Sequence, residues 1–104
     1  MDVRVSFMGV IANVAREKET TLSFGQTPTL RGLIDALEQR YGPAFGARVY
    51  RNSSNPRLLQ MCTRIFVNTR LVDDRSLDQP LPLPADARPS TEILVYILPA
   101  ACGG

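Results

Sequence analysis

Glu92-Ile93-Leu94-Val95-Tyr96-Ile97-Leu98 carries six consecutive apolar residues behind a single glutamate. A strand with one wet face alternates apolar with polar residues, whereas a strand that is apolar on both faces is covered on both. Edge strands are blunted by charge or proline, and this segment has neither in its interior. It therefore reads as a central strand, and the rest of the chain must supply its neighbours and its cover.

At the other end of the chain, Val3, Val5 and Phe7 alternate with Arg4 and Ser6, the period-two pattern of a strand with one buried face. The polar run Asn13 to Thr20 reads as a hairpin connection, and Thr21-Leu22-Ser23-Phe24 resumes the alternation antiparallel to the first strand. Thr29 then offers an N-cap to a helix whose apolar positions are Leu30, Leu33, Ile34, Leu37 and Tyr41, one stripe at spacings of three and four. Gly42-Pro43 ends that helix. Ala44 to Met61 reads as an irregular loop with a short helical turn near Phe45 to Tyr50. Thr63-Arg64-Ile65-Phe66-Val67-Asn68 is a third strand, and Asn68-Thr69-Arg70 turns the chain into a short fourth strand at Leu71-Val72. Pro80, Pro82, Pro84 and Pro89 exclude regular structure from most of Gln79 to Ser90, which becomes an extended crossover.

A strand–strand–helix–strand–strand order with the first and last strands parallel in the centre satisfies these segments together. The expected fold class is α+β: a β-grasp (ubiquitin-like) architecture, with a mixed sheet of four to five strands and one main helix across one face. Residues 1–98 form the domain and residues 99–104 a flexible C-terminal diglycine tail.

Composition narrows the function. The 104 residues are 44% hydrophobic and 21% charged, which places the chain among single globular domains. No stretch reaches the roughly 18 apolar residues of a membrane span, and the N-terminus lacks a secretory pattern, so a cytoplasmic location is expected. A net charge of +2 argues against nucleic acid. The chain has no histidine, which excludes His-based catalysis and zinc-finger sites. Arg48, Arg51, Arg57 and Arg64 lie in a stretch without acids and read as a solvated loop, with an acidic partner surface as the alternative. Cys62 and Cys102 stand far apart in a chain expected in the cytosol, so no structural disulfide is expected.

The helix end Leu37-Glu38-Gln39-Arg40-Tyr41, the motif Arg64-Ile65-Phe66-Val67-Asn68 followed by Leu71-Val72-Asp73, and the tail Ile97-Leu98-Pro99-Ala100-Ala101-Cys102-Gly103-Gly104 together resemble the MoaD/ThiS superfamily of ubiquitin-like sulfur carriers. The likeness runs the whole length, and the tail and the long loop after the helix look most like the CysO type. The resemblance implies that an E1-like adenylating enzyme of the MoeB/ThiF type uses ATP to adenylate the Gly104 carboxylate, and that sulfur then displaces AMP to give a thiocarboxylate. Gly104 is then the covalent site and Gly103 lets it enter a narrow pocket, since neither carries a Cβ. Neither is a catalyst, and no cofactor of the chain's own is implied. The sulfur acceptor would be a cysteine synthase-like enzyme or a molybdopterin synthase large subunit, of which this chain would be the small partner. A ubiquitin-like modifier joined to lysines through the same glycine is the competing reading.

Pro99, Ala100, Ala101, Cys102, Gly103 and Gly104, fully extended, span about 20 Å at roughly 3.3–3.6 Å per residue, enough to cross an active-site tunnel. Cys102 departs from the small or hydrophobic residue usual before the diglycine. Its thiol can form a transient disulfide or assist acyl transfer, while the simpler reading is a tolerated small residue; Cys62 reads as a buried small hydrophobe. Strand alternation turns Ile65 and Val67 inward and Phe66 outward, where Tyr96, with Leu94 or Leu98, completes an apolar partner-binding surface.

Overall fold

A computed structural model describes residues 1–52, 57–83 and 91–99. Strand β1 (Asp2–Phe7) is followed by helix α1 (Val10–Ala15), strand β2 (Glu19–Ser23), helix α2 (Leu30–Tyr41), helix α3 (Pro43–Val49), strands β3 (Thr63–Val67) and β4 (Arg70–Leu71), a 3₁₀ turn at Asp74–Ser76, and strand β5 (Ile93–Pro99). The sheet order is β2-β1-β5-β3-β4. β5 occupies the centre, parallel to β1 and antiparallel to β3, as its two apolar faces require.

One face of the sheet carries the core. Val3, Val5 and Phe7 of β1, Ile65 and Val67 of β3, and Ile93, Val95 and Ile97 of β5 are buried. Against them lies α2, whose Leu30, Leu33, Ile34 and Leu37 are likewise buried, each contributing about 1.5–3 kcal/mol relative to an exposed position. The helix starts where its cap dictates: Thr29 Oγ1 accepts from the Gly32 amide at 3.0 Å.

Two connections differ from the sequence reading. The expected hairpin over Asn13 to Thr20 is instead entered through α1, although β1 and β2 do pair antiparallel. α1 buries Ile11 and Ala15, one turn apart, so its six residues form a small lid on the end of the core. At the end of α2, Gly42 takes φ +99°, but Pro43 does not stop the helical path; it opens α3 as a first-turn residue, where a missing N–H costs nothing. Phe45 of α3 meets Phe7 edge-on with centroids 5.7 Å apart, and Tyr41 meets Phe7 at 5.5 Å, so the second helix is held by an aromatic cluster.

The β3–β4 turn follows the sequence. Asn68 and Thr69 both have positive φ, the requirement of a two-residue type I′ hairpin loop. Asn68 also reaches sideways: its Oδ1 accepts from the Leu94 amide at 3.1 Å and its Nδ2 donates to the Pro82 carbonyl at 2.9 Å. One side chain thus ties the turn to β5 and to the crossover. Leu81 of that crossover is buried, and Pro80 bridges to Thr29; Pro84 and Pro89 fall outside the described residues.

Candidate functional site

The other face of the sheet divides into halves. On β1 and β2 it presents Asp2, Arg4, Glu19 and Ser23, with Arg4 held between Glu92 at 2.8 Å and Glu19 at 3.7 Å. These exposed ion pairs keep that half polar and add little stability. On β5, β3 and β4 the face is apolar apart from Arg64, which lies opposite Leu98 at one end. Tyr96 lies between Ser6 and Phe66, and Phe66 in turn lies opposite Leu71, so Tyr96, Phe66 and Leu71 form one row across three strands. Ile65 and Val67 point inward as expected, and Phe66 and Tyr96 stay partly exposed on the outer face. Leu94 and Leu98, two residues to either side of Tyr96, share that face. Leu71, named in the sequence as part of the short fourth strand, is an addition to the expected surface. It is 54% exposed, and the two-residue turn at Asn68-Thr69 was the signal that places it opposite Phe66.

β5 delivers the chain to one end of this face. Pro99 is its last residue, set opposite Thr63 and exposed. A proline lacks the N–H to continue the ladder, so a strand end suits it. Gly9 packs directly on the Pro99 ring: a Cβ built there would stand 2.8 Å from Pro99 Cγ, and the Gly9 backbone has φ +58°. Only glycine meets both conditions without strain. Ala100, Ala101, Cys102, Gly103 and Gly104, the rest of the expected tail, lie outside the described residues.

Beside the tail exit, Cys62 precedes β3 and lines a cavity of about 280 Å³ together with Thr63 and Pro99. It is disulfide-bonded, against the sequence expectation of no disulfide and of a simple buried hydrophobe. The correction has a physical reason. Strand pairing brings the start of β3 alongside the end of β5, a proximity that separation along the chain hides.

The arginine-rich stretch also departs from a plain solvated loop. Arg57 donates from Nη1 and Nη2 to the two carboxylate oxygens of Glu38 at 2.9 and 3.0 Å, and its guanidinium stacks 4.2 Å above the Tyr50 ring. The ion pair holds the Glu38 carboxyl below its ordinary pKa. Burial, followed by the hydrogen bond its hydroxyl gives Asp35 at 2.9 Å, pushes the Tyr50 phenol above its ordinary range. Arg31 adds a bond from Nη1 to the Arg57 carbonyl at 2.7 Å and another from Nε to Asp78 at 2.8 Å. The cluster fastens the segment after α3 to α2. Arg48, Arg51 and Arg64 remain exposed.

Among the described residues, no group of histidine, cysteine, aspartate and glutamate side chains could hold a metal ion, and no helix is long and apolar enough to cross a membrane. The described residues offer a central strand that ends at Pro99 beside a largely apolar face.

No protein-family model and no curated sequence matches the chain. Solved structures do. A putative molybdopterin converting factor, subunit 1, from Pyrococcus furiosus superposes with a TM-score of 0.67 at 20% identity, covering 97% of this chain and 99% of that one. SAMP1 from Haloferax volcanii gives 0.70 at 16% identity over 100% of both chains. Small archaeal modifier protein 1 from Methanosarcina acetivorans gives 0.69 at 22% identity, covering 99% and 96%. The β-grasp fold to which the MoaD/ThiS resemblance pointed is therefore the fold of this chain, and it is shared end to end with a putative molybdopterin converting factor subunit and with small archaeal modifier proteins.

Proposed function

We propose that this chain is a cytoplasmic sulfur carrier whose Gly104 carboxylate is adenylated by an E1-like enzyme of the MoeB/ThiF type and converted to a thiocarboxylate. The observation that carries the reading is the course of β5, which leaves the centre of the sheet at Pro99 with Gly103-Gly104 close behind in the sequence. A carboxylate is a poor electrophile, so it needs an ATP-derived adenylate before sulfur can attack; the activating enzyme supplies that chemistry. The chain's own contribution is to hold the exit, through Gly9 against Pro99, and to offer Tyr96, Phe66 and Leu71 as the docking row. It needs no bound cofactor. The thiocarboxylate would pass sulfur to a cysteine synthase-like enzyme or to a molybdopterin synthase large subunit.

The test is the intact mass of the chain after incubation with ATP, a cognate activating enzyme and a sulfur donor. A gain equal to exchanging one oxygen for one sulfur is expected, and its absence with a competent enzyme overturns the reading. The chain lacking Gly103-Gly104 should keep its melting temperature and lose the modification.

A second reading, a protein modifier, is favoured by the description of three structural neighbours as small archaeal modifier proteins. It shares the activation step and differs in the acceptor. An isopeptide adduct of the chain on a lysine-bearing protein, with no thiocarboxylate formed, would establish it instead. Lys18 is the chain's only lysine, so linkages between copies would have a single site, which favours the carrier.

A further inference from the structure

Three arginines of the acid-free stretch that take no part in the Glu38 cluster gather where β5 ends. Arg64 stands on the outer face of β3, opposite Leu98 and one position from the Thr63–Pro99 pair. Arg48 comes from α3 on the helix side and lines the cavity that Thr63 and Pro99 also wall; its carbonyl accepts from Thr63 Oγ1 at 2.7 Å. Arg51 and Arg64 together line a neighbouring cavity of about 270 Å³. All three are exposed, and among the described residues none is in an ion pair. Arg4, Arg31, Arg40 and Arg57 show the alternative, since each is matched by a carboxylate of the chain itself. Like charges held near one another without compensation raise the potential at that end of the molecule, and a partner of opposite sign lowers it.

Their setting says what kind of partner this is. Met61 is 72% exposed and Leu71 54%, and both line the cavity shared by Arg51 and Arg64. Arg64 also donates from Nη1 to the Met61 carbonyl at 2.8 Å. Arginine set around exposed apolar side chains is the composition of a protein–protein contact, with an apolar centre and a charged rim. Asp73 and Asp74 line the same cavity, so a continuous phosphate backbone crossing it meets two carboxylates. A folded protein surface can set its acids against the arginines alone, and a net charge of +2 is too small for nucleic acid.

We propose that Arg48, Arg51 and Arg64 form a basic collar at the end of β5 that docks a carboxylate-bearing surface of the activating enzyme. The collar adds charge to the Tyr96, Phe66 and Leu71 row, which speeds encounter and fixes the orientation of docking. The identity of the partner rests on the sulfur-carrier reading; the preference for acidic protein over nucleic acid does not.

The experiment compares the full chain with two triple variants, Arg48→Gln/Arg51→Gln/Arg64→Gln and Arg48→Lys/Arg51→Lys/Arg64→Lys. In steady-state activation by the E1-like enzyme with ATP at low salt, the Gln variant should lose roughly tenfold or more in kcat/KM, through KM with kcat unchanged, while the Lys variant stays within about threefold of the parent. Raising sodium chloride from about 0.05 to about 0.5 M should slow the parent and leave the Gln variant little changed. Equal KM for the parent and the Gln variant, or a Lys variant as impaired as the Gln variant, overturns the collar. A second measurement needs neither a variant nor activation: nuclear magnetic resonance shifts of the parent titrated with a glutamate-rich peptide, titrated with a single-stranded oligonucleotide of equal charge, and followed on dilution of the chain alone. Shifts at Arg48, Arg51 and Arg64 on adding the peptide support the proposal. No shifts there, tighter binding of the oligonucleotide, or shifts that follow dilution, the mark of a second copy, overturn it. Absence of activation for every form overturns the carrier reading, and the titration then decides on the collar by itself.

Discussion

Arg57 grips Glu38 at two points, with Nη1 and Nη2 each bonded to a different carboxylate oxygen, while the same guanidinium covers the face of Tyr50. Both side chains of the pair are less than a quarter exposed, so the interaction exceeds an ordinary surface ion pair. Arg57→Ala is expected to cost about 1–2 kcal/mol, measured by urea denaturation at neutral pH. Because the Glu38 pKa is lowered in the fold, its contribution is present above the unfolded carboxylate value and lost as pH falls through the folded one. The stability gap between the parent and Arg57→Ala should therefore narrow on acidification below about pH 4, leaving the part due to the Tyr50 contact.

Tyr50 gives the opposite limb of the pH profile. Its phenol is raised by burial and by its bond to Asp35, so the folded state keeps the proton after the unfolded chain has lost it. Stability is then intact below the unfolded phenol value, near pH 10, and falls above it by about 1.4 kcal/mol per pH unit for this residue. Tyr50→Phe should lose about 0.5–1.5 kcal/mol at neutral pH and show a shallower alkaline decline, read by denaturant melts at successive pH values.

Gly9→Ala tests the exit of the tail. The new Cβ would stand 2.8 Å from Pro99 Cγ, on a backbone at φ +58°. A destabilisation of about 1–3 kcal/mol is expected from strain and contact together. Nuclear magnetic resonance shifts should move at Pro99 and Thr63 and stay fixed in α2. A neutral melt with unmoved Pro99 signals would refute the close approach.

Leu71→Glu separates docking from folding. Leu71 is 54% exposed and opposite Phe66, so its loss should change stability by less than about 1 kcal/mol. A carboxylate at the outer end of the apolar row should nonetheless lower kcat/KM for activation roughly tenfold or more, chiefly through KM. Unchanged activation kinetics would move the docking surface elsewhere.

The parts of this molecule that were legible in the chain are those set by local periodicity. Leu30, Leu33, Ile34 and Leu37 place α2, Thr29 starts it, and the doubly apolar run around Val95 places β5 at the centre. Helix α1 escaped because its buried stripe is just Ile11 and Ala15, too short a pattern to stand against the polar run that follows. Pro43 was read as a stop because the same residue ends one helix and begins another. The Glu38–Arg57 pair and the position of Cys62 beside Pro99 were hidden for another reason. They join segments that are distant along the chain, and no residue pattern near either partner reports the contact.

The central place of β5 also governs when the molecule can exist. Val5 pairs with Val95 across almost the whole chain, and β1 and β3 have no common neighbour until β5 arrives. A polypeptide that stops short of Ile93 cannot close its sheet, so synthesis of the last strand and completion of the fold are one event. Pairing at such separation is slow. Unfinished chains are thereby left open to proteolysis, and any chain that has folded has already received the strand that leads into its tail.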